Sequence, residues 1–233
     1  HAVMMPTPAR ADMSLEDARA EAEALGVRYS VIPIADMAAS IEKALAEEFA
    51  GKPRDTTEEN IQARVRGVLL MALSNKTGKL VLTTGNKTEM AVGYATLYGD
   101  MAGGFAVIKD VPKLLVYTLS RYRNGLSQVI PERVLTRAPS AELRPDQTDQ
   151  DSLPPYEVLD AILELYVEQD RSAEDIARAT GASLKTIREV IGMVTRNEYK
   201  RRQAAPGVRI SQRAFGRDRR YPITSGFKEP RGD

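Results

Sequence analysis

Residues 79–89, Lys-Leu-Val-Leu-Thr-Thr-Gly-Asn-Lys-Thr-Glu, constrain the fold of this chain more than any other stretch. Residues 80–82 form a short apolar run, which is typical of a buried strand. Small polar residues follow at 83–85, and the chain from 86 to 94 can then form a helix. A strand that ends in small polar residues and turns into a helix is the place where open α/β sheets bind their ligands.

The start of the predicted helix has the chemistry of a phosphate or metal site. Free backbone N–H groups at a helix start attract phosphate. Glu89 lies one turn into the helix, where a carboxylate can bind magnesium or a polar ligand group. An ordinary strand-to-helix turn with a solvated glutamate explains the same residues, so this segment by itself leaves both interpretations open.

Composition argues against several classes of function. The 233 residues include 33 basic and 32 acidic side chains, and a net charge of +1 gives no general attraction to nucleic acid or membranes. The absence of cysteine excludes disulfides, thiolate metal sites and thiol catalysis. Because the only histidine is His1, neither a Ser-His-Asp triad nor a metal site with several histidines is expected.

The ends of the chain and its apolar stretches bear on location. No apolar run approaches the ~20 residues of a membrane span, and no secretory signal pattern is present. A cytoplasmic protein without a membrane partner is therefore expected. The chain enters the apolar run 2–5 directly after His1, as if a strand were already under way, so we expect a truncated chain whose preceding element is missing.

Strands and helices alternate along the first part of the chain. Short apolar runs predict strands at 2–5, 27–34, 79–83 and 105–108. Helical spacing follows between them, with Thr56 or Thr57 as the expected cap of one helix and Asp110 as the cap of another. This alternation favours a parallel sheet covered by helices.

Composition also divides the chain into three parts. Residues 1–138 are expected to form an α/β core, truncated at its N-terminus. Residues 139–155 are rich in proline and acidic side chains and predict a flexible loop. Residues 156–233 predict C-terminal helices and an arginine-rich tail that pack on the core.

A second class of function rests on residues 172–191, which resemble a helix-turn-helix with Gly181 at the turn. The basic residues 200–202 follow and could bind a phosphate backbone. However, the second helix offers a mixed set of side chains, and two helices joined at a glycine are common packing units. A nucleic-acid-binding protein is therefore kept as the alternative.

Several segments, in matching order over nearly the whole chain, resemble the NAD synthetase family. They include residues 59–66 (Glu-Asn-Ile-Gln-Ala-Arg-Val-Arg), 84–89 (Thr-Gly-Asn-Lys-Thr-Glu), 93–94 (Gly-Tyr), 96–100 (Thr-Leu-Tyr-Gly-Asp), 139–143 (Pro-Ser-Ala-Glu-Leu), 198–203 (Glu-Tyr-Lys-Arg-Arg-Gln) and 213–218 (Arg-Ala-Phe-Gly-Arg-Asp). The long form of residues 120–131 and the arginine-rich tail resemble the glutamine-dependent branch of that family.

The resemblance implies both a fold and a reaction. The fold is the adenine-nucleotide α-hydrolase-like doubly wound parallel sheet, here with its first strand missing and with a C-terminal helical segment. The enzyme is a ligase in which a carboxylate of deamido-NAD attacks the α-phosphate of ATP, giving an adenylate and pyrophosphate. Ammonia from glutamine then displaces AMP to give NAD. The family's glutaminase domain and Ser-Gly-Gly-x-Asp-Ser pyrophosphate loop are absent from this sequence, so the chain alone is expected to be inactive.

The same resemblance assigns roles to single residues. Positions that bind deamido-NAD are matched by Asn60, Glu89, Asp100 and Lys200. Positions that bind ATP are matched by Thr84, Lys113 and Ser140. Glu89 matches a magnesium ligand, and Glu89 and Lys113 are the expected catalytic residues. Taken singly, each of these residues is equally well explained as a helix cap, a turn residue or a solvated side chain.

The resemblance also implies what the protein binds. Magnesium is the expected cofactor, and the expected partners are ATP, deamido-NAD, ammonia or glutamine, and further copies of the chain in a homo-oligomer. Another adenylating synthetase on the same sheet, such as a GMP or asparagine synthetase, remains a third interpretation.

Overall fold

The computed structural model describes residues 1–7, 12–224 and 226. Helices dominate these residues, and the strands are short. The strands are β1 (Ala2–Met4), β2 (Tyr29–Val31), β3 (Leu82–Thr83) and β4 (Phe105–Ala106). The α-helices are α1 (Asp12–Ala24), α2 (Ala35–Ala44), α3 (Ala46–Phe49), α4 (Thr56–Thr77), α5 (Lys87–Val92), α6 (Lys113–Leu126), α7 (Glu132–Thr136), α8 (Tyr156–Leu163), α9 (Ala173–Thr180), α10 (Leu184–Arg196) and α11 (Glu198–Arg202). A 3₁₀ turn (Asp149–Asp151) precedes α8, and a π-helical turn (Glu164–Glu168) follows it.

The strands form two pairs, and both pairs are parallel. This agrees with the parallel direction predicted from the alternation of strands and helices. In one pair β1 lies beside β2, with Ala2 opposite Tyr29. In the other β3 lies beside β4, with Leu82 opposite Phe105. A cleft of about 670 Å³ lies between β1 and β3, and α4 contributes to its lining. The described strands therefore do not form one continuous sheet.

The apolar run at residues 80–82 is not buried, contrary to the prediction. Leu80 and Leu82 are 64% and 56% exposed. The carbonyl of Val81 accepts a hydrogen bond from the N–H of Gly104, so β3 is joined to β4 on one side. Its other side borders the cleft, and this is why the leucines remain exposed. A continuous apolar run is typical of a strand with a neighbouring strand on each side. Among the described residues, β3 has one such neighbour, β4.

One helix begins one residue earlier than predicted. The cap of α4 is Asp55, not Thr56 or Thr57, and its side chain accepts a hydrogen bond from the N–H of Thr57 at 2.7 Å. Glu58 accepts from the N–H of Asp55 at 2.9 Å and completes a capping box. All three candidate residues can cap a helix, so the sequence alone does not distinguish among them.

The predicted cap of α6 was also wrong. Helix α6 follows Pro112, whose side chain provides no cap. The carboxylate of Asp110 accepts instead from the N–H groups of Ile210 and Ser211, each at 2.8 Å. Asp110 therefore ties the C-terminal segment to the chain before α6.

Two apolar clusters hold the molecule together. The larger one packs the C-terminal helices against α5 and contains buried Ala91, Val92, Leu159, Ile162, Ile176, Ile187, Val190 and Val194. The smaller one packs Met5, directly after β1, and Ile34 and Ala38, at the start of α2, against Ile61 and Val65 of α4. The predicted pair of helices around Gly181 is present as α9 and α10, and its apolar face lies in the larger cluster. None of the described helices is long and apolar enough to cross a membrane.

Candidate active site

Glu89 is held at the start of α5 by a capping box. The side chain of Asn86 accepts a hydrogen bond from the N–H of Glu89 at 3.0 Å, and Glu89 Oε2 accepts from the N–H of Asn86 at 3.1 Å. This reciprocal pair fixes both the helix start and the carboxylate. The other oxygen, Oε1, is left to face Lys113.

Lys113 reaches Glu89 from the first turn of α6. Its Nζ lies 3.1 Å from Glu89 Oε1 and 5.1 Å from the centre of the Tyr156 ring on α8. The side chains of Lys113 and Glu89 are 16% and 19% exposed. The pair is therefore shielded enough to be strengthened by its surroundings, yet both charges can still be reached by a ligand.

Asp100 follows a strained turn that packs closely against α4. Tyr98 has a φ of +63°, which is uncommon for a residue with a side chain. A Cβ at Gly67 on α4 would lie 3.0 Å from the carbonyl oxygens of Tyr98 and Gly99, so any larger residue there would crowd the turn. The N–H of Thr96 donates to Asp100 Oδ1 at 2.7 Å and fixes the carboxylate.

The charge of Asp100 depends on its neighbours. Burial raises the pKa of the Asp100 carboxyl most strongly, the hydrogen bond from Thr96 lowers it, and the negative charge of Glu89 raises it further. Asp100 and Glu89 also line one small cavity of about 20 Å³. That volume corresponds to roughly one water molecule. Glu89 and Asp100 therefore border the same small space.

Asn60 and Lys200 meet the same turn from other elements. Thr96 Oγ1 donates to Asn60 Oδ1 at 2.8 Å, which joins α4 to the residues before Asp100. Lys200 Nζ donates to the carbonyl oxygens of Gly93 and Ala95, each at 2.7 Å. Burial lowers the pKa of Lys200, and the charge of Asp100 raises it in part. Both side chains thus support the turn that carries Asp100.

Thr84 and Ser140 have no hydrogen bond to the Glu89–Lys113 pair among the residues that the structure describes. Thr84 borders the 670 Å³ cleft, which Asp100 and Ala141 also line. The hydroxyl of Ser140 accepts a hydrogen bond from the N–H of Glu142 at 3.0 Å, a contact within its own turn. Five of the predicted site residues are therefore connected through contacts or charge: Asn60, Glu89, Asp100, Lys113 and Lys200. Thr84 lies on the cleft, and Ser140 lies next to Ala141, which lines it.

A buried ionic cluster beside this site was missed by sequence analysis. Lys87 Nζ lies 2.7 Å from Glu168 Oε1 and 3.1 Å from Asp110 Oδ1, and Lys87 and Asp110 are nearly inaccessible to water. Ser211 donates to Asp110 Oδ1 at 2.9 Å. The partners are far apart along the chain, so no local pattern signals the cluster. It joins the first turn of α5 to the C-terminal segment.

Comparison with known proteins places this chain in a family. The model of the NAD synthase family matches residues 1–204. The glutamine-dependent NAD(+) synthetase of Acinetobacter baylyi is 58% identical over 229 residues, which cover 97% of this chain and 42% of that protein. The Thermotoga maritima protein of the same name is 57% identical over 230 residues, covering 98% of this chain and 40% of that protein. The chain thus spans about two fifths of the length of these relatives.

Solved structures agree. A glutamine-dependent NAD+ synthetase from Acinetobacter baumannii, determined in complex with ADP, is 51% identical with a TM-score of 0.59, covering 99% of this chain and 41% of that one. This similarity confirms the predicted α/β fold class, and these relatives give no support to the nucleic-acid-binding alternative. Because the family model matches most of its length, this chain belongs to the NAD synthase family.

Proposed function

We propose that this chain is the part of a glutamine-dependent NAD synthetase that amidates deamido-NAD to NAD with ATP. The observation that carries the proposal is the Glu89–Lys113 pair, with an Nζ–Oε1 distance of 3.1 Å, held at the start of α5. Asp100 lines the same small cavity as Glu89. The high identity to glutamine-dependent synthetases supports the same assignment.

In the first step, a carboxylate oxygen of deamido-NAD would attack the α-phosphate of ATP, and the bond to pyrophosphate would break. Negative charge grows on the phosphate oxygens and on the leaving group. Lys113 supplies a fixed cation for that charge. The residues act by placing the reactants and neutralising charge.

In the second step, ammonia would attack the activated acyl carbon, and the bond to AMP would break. This step needs no histidine, which agrees with a chain whose only histidine is His1. We propose that Asn60, Asp100 and Lys200 position deamido-NAD and that Thr84 and Ser140 contact ATP. Two observations support this. Asn60 and Lys200 contact the turn that carries Asp100, and Thr84 lies on the cleft.

Magnesium fits this donor set only together with a substrate. No group of three or more potential ligand side chains occurs within the described part of the chain. Glu89 and Asp100, which line one cavity, have hard carboxylate oxygens, and Mg²⁺ commonly takes one or two carboxylates and completes its shell with phosphates and water. We propose that Glu89 holds the ion, which would neutralise phosphate charge when bound.

The cleft between the two strand pairs is proposed to hold a further parallel strand. A strand residue occupies roughly 160 Å³, from a rise of ~3.3 Å, a strand spacing of ~4.8 Å and a layer spacing of ~10 Å. The cleft of about 670 Å³ therefore has room for about four such residues. Exposed Leu80 and Leu82 at its edge support this interpretation. The pyrophosphate loop of the family would follow such a strand.

A hybrid enzyme tests the proposed function. In it, this chain replaces the matching stretch of the Acinetobacter baylyi synthetase. We expect pyrophosphate release from ATP to depend on deamido-NAD. Release that depends instead on substrates of GMP or asparagine synthetases would support the other adenylating enzymes and overturn the proposal.

Three wider expectations belong to the same proposal. A cytoplasmic location suits an enzyme that uses ATP, and a homo-oligomer and the use of glutamine as ammonia source follow from the resemblance. Sedimentation of the hybrid enzyme, and NAD formation with glutamine in place of ammonium, test the last two.

A further inference from the structure

The first turn of α6 is capped by residues from two other helices. Its own preceding residue, Pro112, offers no side-chain cap. The N–H of Lys113 donates instead to Thr88 Oγ1 at 2.9 Å, and the N–H of Leu114 donates to Asp160 Oδ2 at 2.9 Å. Two of the N–H groups that a helix start leaves unpaired are thus satisfied by α5 and α8.

The two capping side chains are also joined to each other. Thr88 donates its hydroxyl hydrogen to Asp160 Oδ1. Thr88 is 1% exposed. One hydroxyl and one carboxylate therefore connect three helices in an arrangement with little room for movement.

Asp160 and Tyr156 act on Lys113 from the same helix face. They lie four residues apart on α8, so their side chains point to one side. Asp160 binds the backbone next to Lys113, and the Tyr156 ring lies under its ammonium at 5.1 Å. These contacts fix both the backbone and the ammonium group of Lys113. The ammonium group is thereby held beside Glu89, the residue that follows Thr88.

We propose that Thr88 and Asp160 are positioning residues that set Lys113 against Glu89 for the reaction. The inference rests on the proposed function for its kinetic consequence, but the arrangement of Lys113 can be measured without any activity. Neither residue needs to touch a substrate. Their effect would pass through the backbone of α6 and the first turn of α5.

Nuclear magnetic resonance of the chain with ¹³C-methylated lysines tests the arrangement directly. The Lys113 signal, assigned by its loss in Lys113→Arg, is expected to be displaced by the Tyr156 ring. Thr88→Val, which keeps the shape and removes the hydroxyl, should move this signal toward that of a solvent-exposed lysine. Thr88→Ser, which retains the hydroxyl, should leave it in place. An unmoved signal in Thr88→Val would overturn the proposal.

Kinetics of the hybrid enzyme test the consequence. Thr88→Val and Asp160→Asn are expected to lower kcat by about 10- to 100-fold with smaller changes in KM. Thr88→Ser should recover most of the rate. Ser183→Ala is the matched control, because it removes the side-chain cap of α10, which accepts from Thr186 N–H at 3.1 Å, away from Lys113.

The two proposals fail in distinguishable ways. If the hybrid enzyme with the natural residues makes no NAD, the proposed function fails, and the Lys113 signal still decides the positioning role. The other case is that the enzyme is active, and that Thr88→Val and Ser183→Ala lose equal thermal stability and equal activity. The cap of α6 is then only structural, and the positioning role is refuted.

Discussion

At the residue scale, Glu89 combines two tasks that are usually separate. One carboxylate oxygen completes the capping box of α5, and the other faces Lys113. A side chain fixed at both oxygens is pre-organised, which suits a group that must stabilise charge without moving. The same contacts make Glu89 important for local structure, so activity and stability must be separated by a control.

We predict that Glu89→Ala lowers kcat/KM of the hybrid enzyme by about 100-fold or more, because a charged group at the reacting centre is lost. Glu58→Ala is the control, since Glu58 occupies the same position in the capping box of α4. Both variants lose a cap contact, and only the first should lose the reaction. Equal activity in the two variants would remove Glu89 from the site.

Lys200 gives a prediction about binding. It supports the carbonyl groups of Gly93 and Ala95 and offsets the charge of Asp100. Lys200→Met keeps the aliphatic stem and should raise the KM for deamido-NAD by about tenfold, the effect of losing one modest interaction. Steady-state kinetics check this, with exposed Lys185→Met on α10 as the control. A KM that matches the control would contradict the role.

Local sequence signals predicted where helices lie but not always which residue caps them. The sequence predicted a helix over residues 86–94, and the structure has α5 over Lys87–Val92. Lys87 carries no such signal, because its partners Asp110 and Glu168 lie far along the chain. The contact of Glu89 with Lys113 is likewise tertiary, and only the family resemblance pointed to both residues.

At the scale of elements, the C-terminal segment is tied to the start of α5 by charge. Asp110 is the centre of this tie, since it binds Lys87 as well as Ile210 and Ser211. Burial acts to raise the pKa of the Asp110 carboxyl, but hydrogen bonds from Ser211, Ile210 and Lys87 outweigh it and hold the pKa below the ordinary value.

A carboxyl whose pKa is lowered by folding stabilises the folded state when it is ionised. This contribution is complete above the ordinary pKa of 3.8 and is lost as the pH falls through the lowered value. Asp110→Asn should therefore reduce stability by about 1–3 kcal/mol near neutral pH. The difference from the natural protein should shrink below the ordinary pKa of 3.8.

Thermal unfolding as a function of pH measures this difference. Asp36→Asn, at an exposed position on α2, serves as the control. A difference between Asp110→Asn and the natural protein that stays constant from neutral to strongly acidic pH would contradict the role of the Asp110 charge.

Element boundaries show why sequence patterns have limits. The alternation of strands and helices was predictable, because apolar periodicity is a local property. The exposure of Leu80 and Leu82 was not predictable, because it depends on whether a neighbouring strand is present in the sheet. The capping of α6 by Thr88 and Asp160 depends on three helices and has no signature in any one of them.

At the scale of the whole molecule, a cleft lined by β1 and β3 lies between the two strand pairs. If a further strand fills it, the amides of β3 gain partners on their open side and become protected from solvent. We predict that hydrogen exchange across β3 is much slower in the hybrid enzyme than in the isolated chain. β2, whose paired neighbour β1 is present in both proteins, is the internal control. Equal exchange of β3 in both proteins would contradict the proposed strand.

The measurement that tests the central claim most directly is the product balance of the hybrid enzyme. The hybrid enzyme is supplied with deamido-NAD, ATP, magnesium and ammonium, and the Acinetobacter baylyi protein is measured under the same conditions as the reference. The account predicts NAD, AMP and pyrophosphate in equal amounts. ADP and phosphate in their place, or no NAD while the reference protein forms it, would contradict the account.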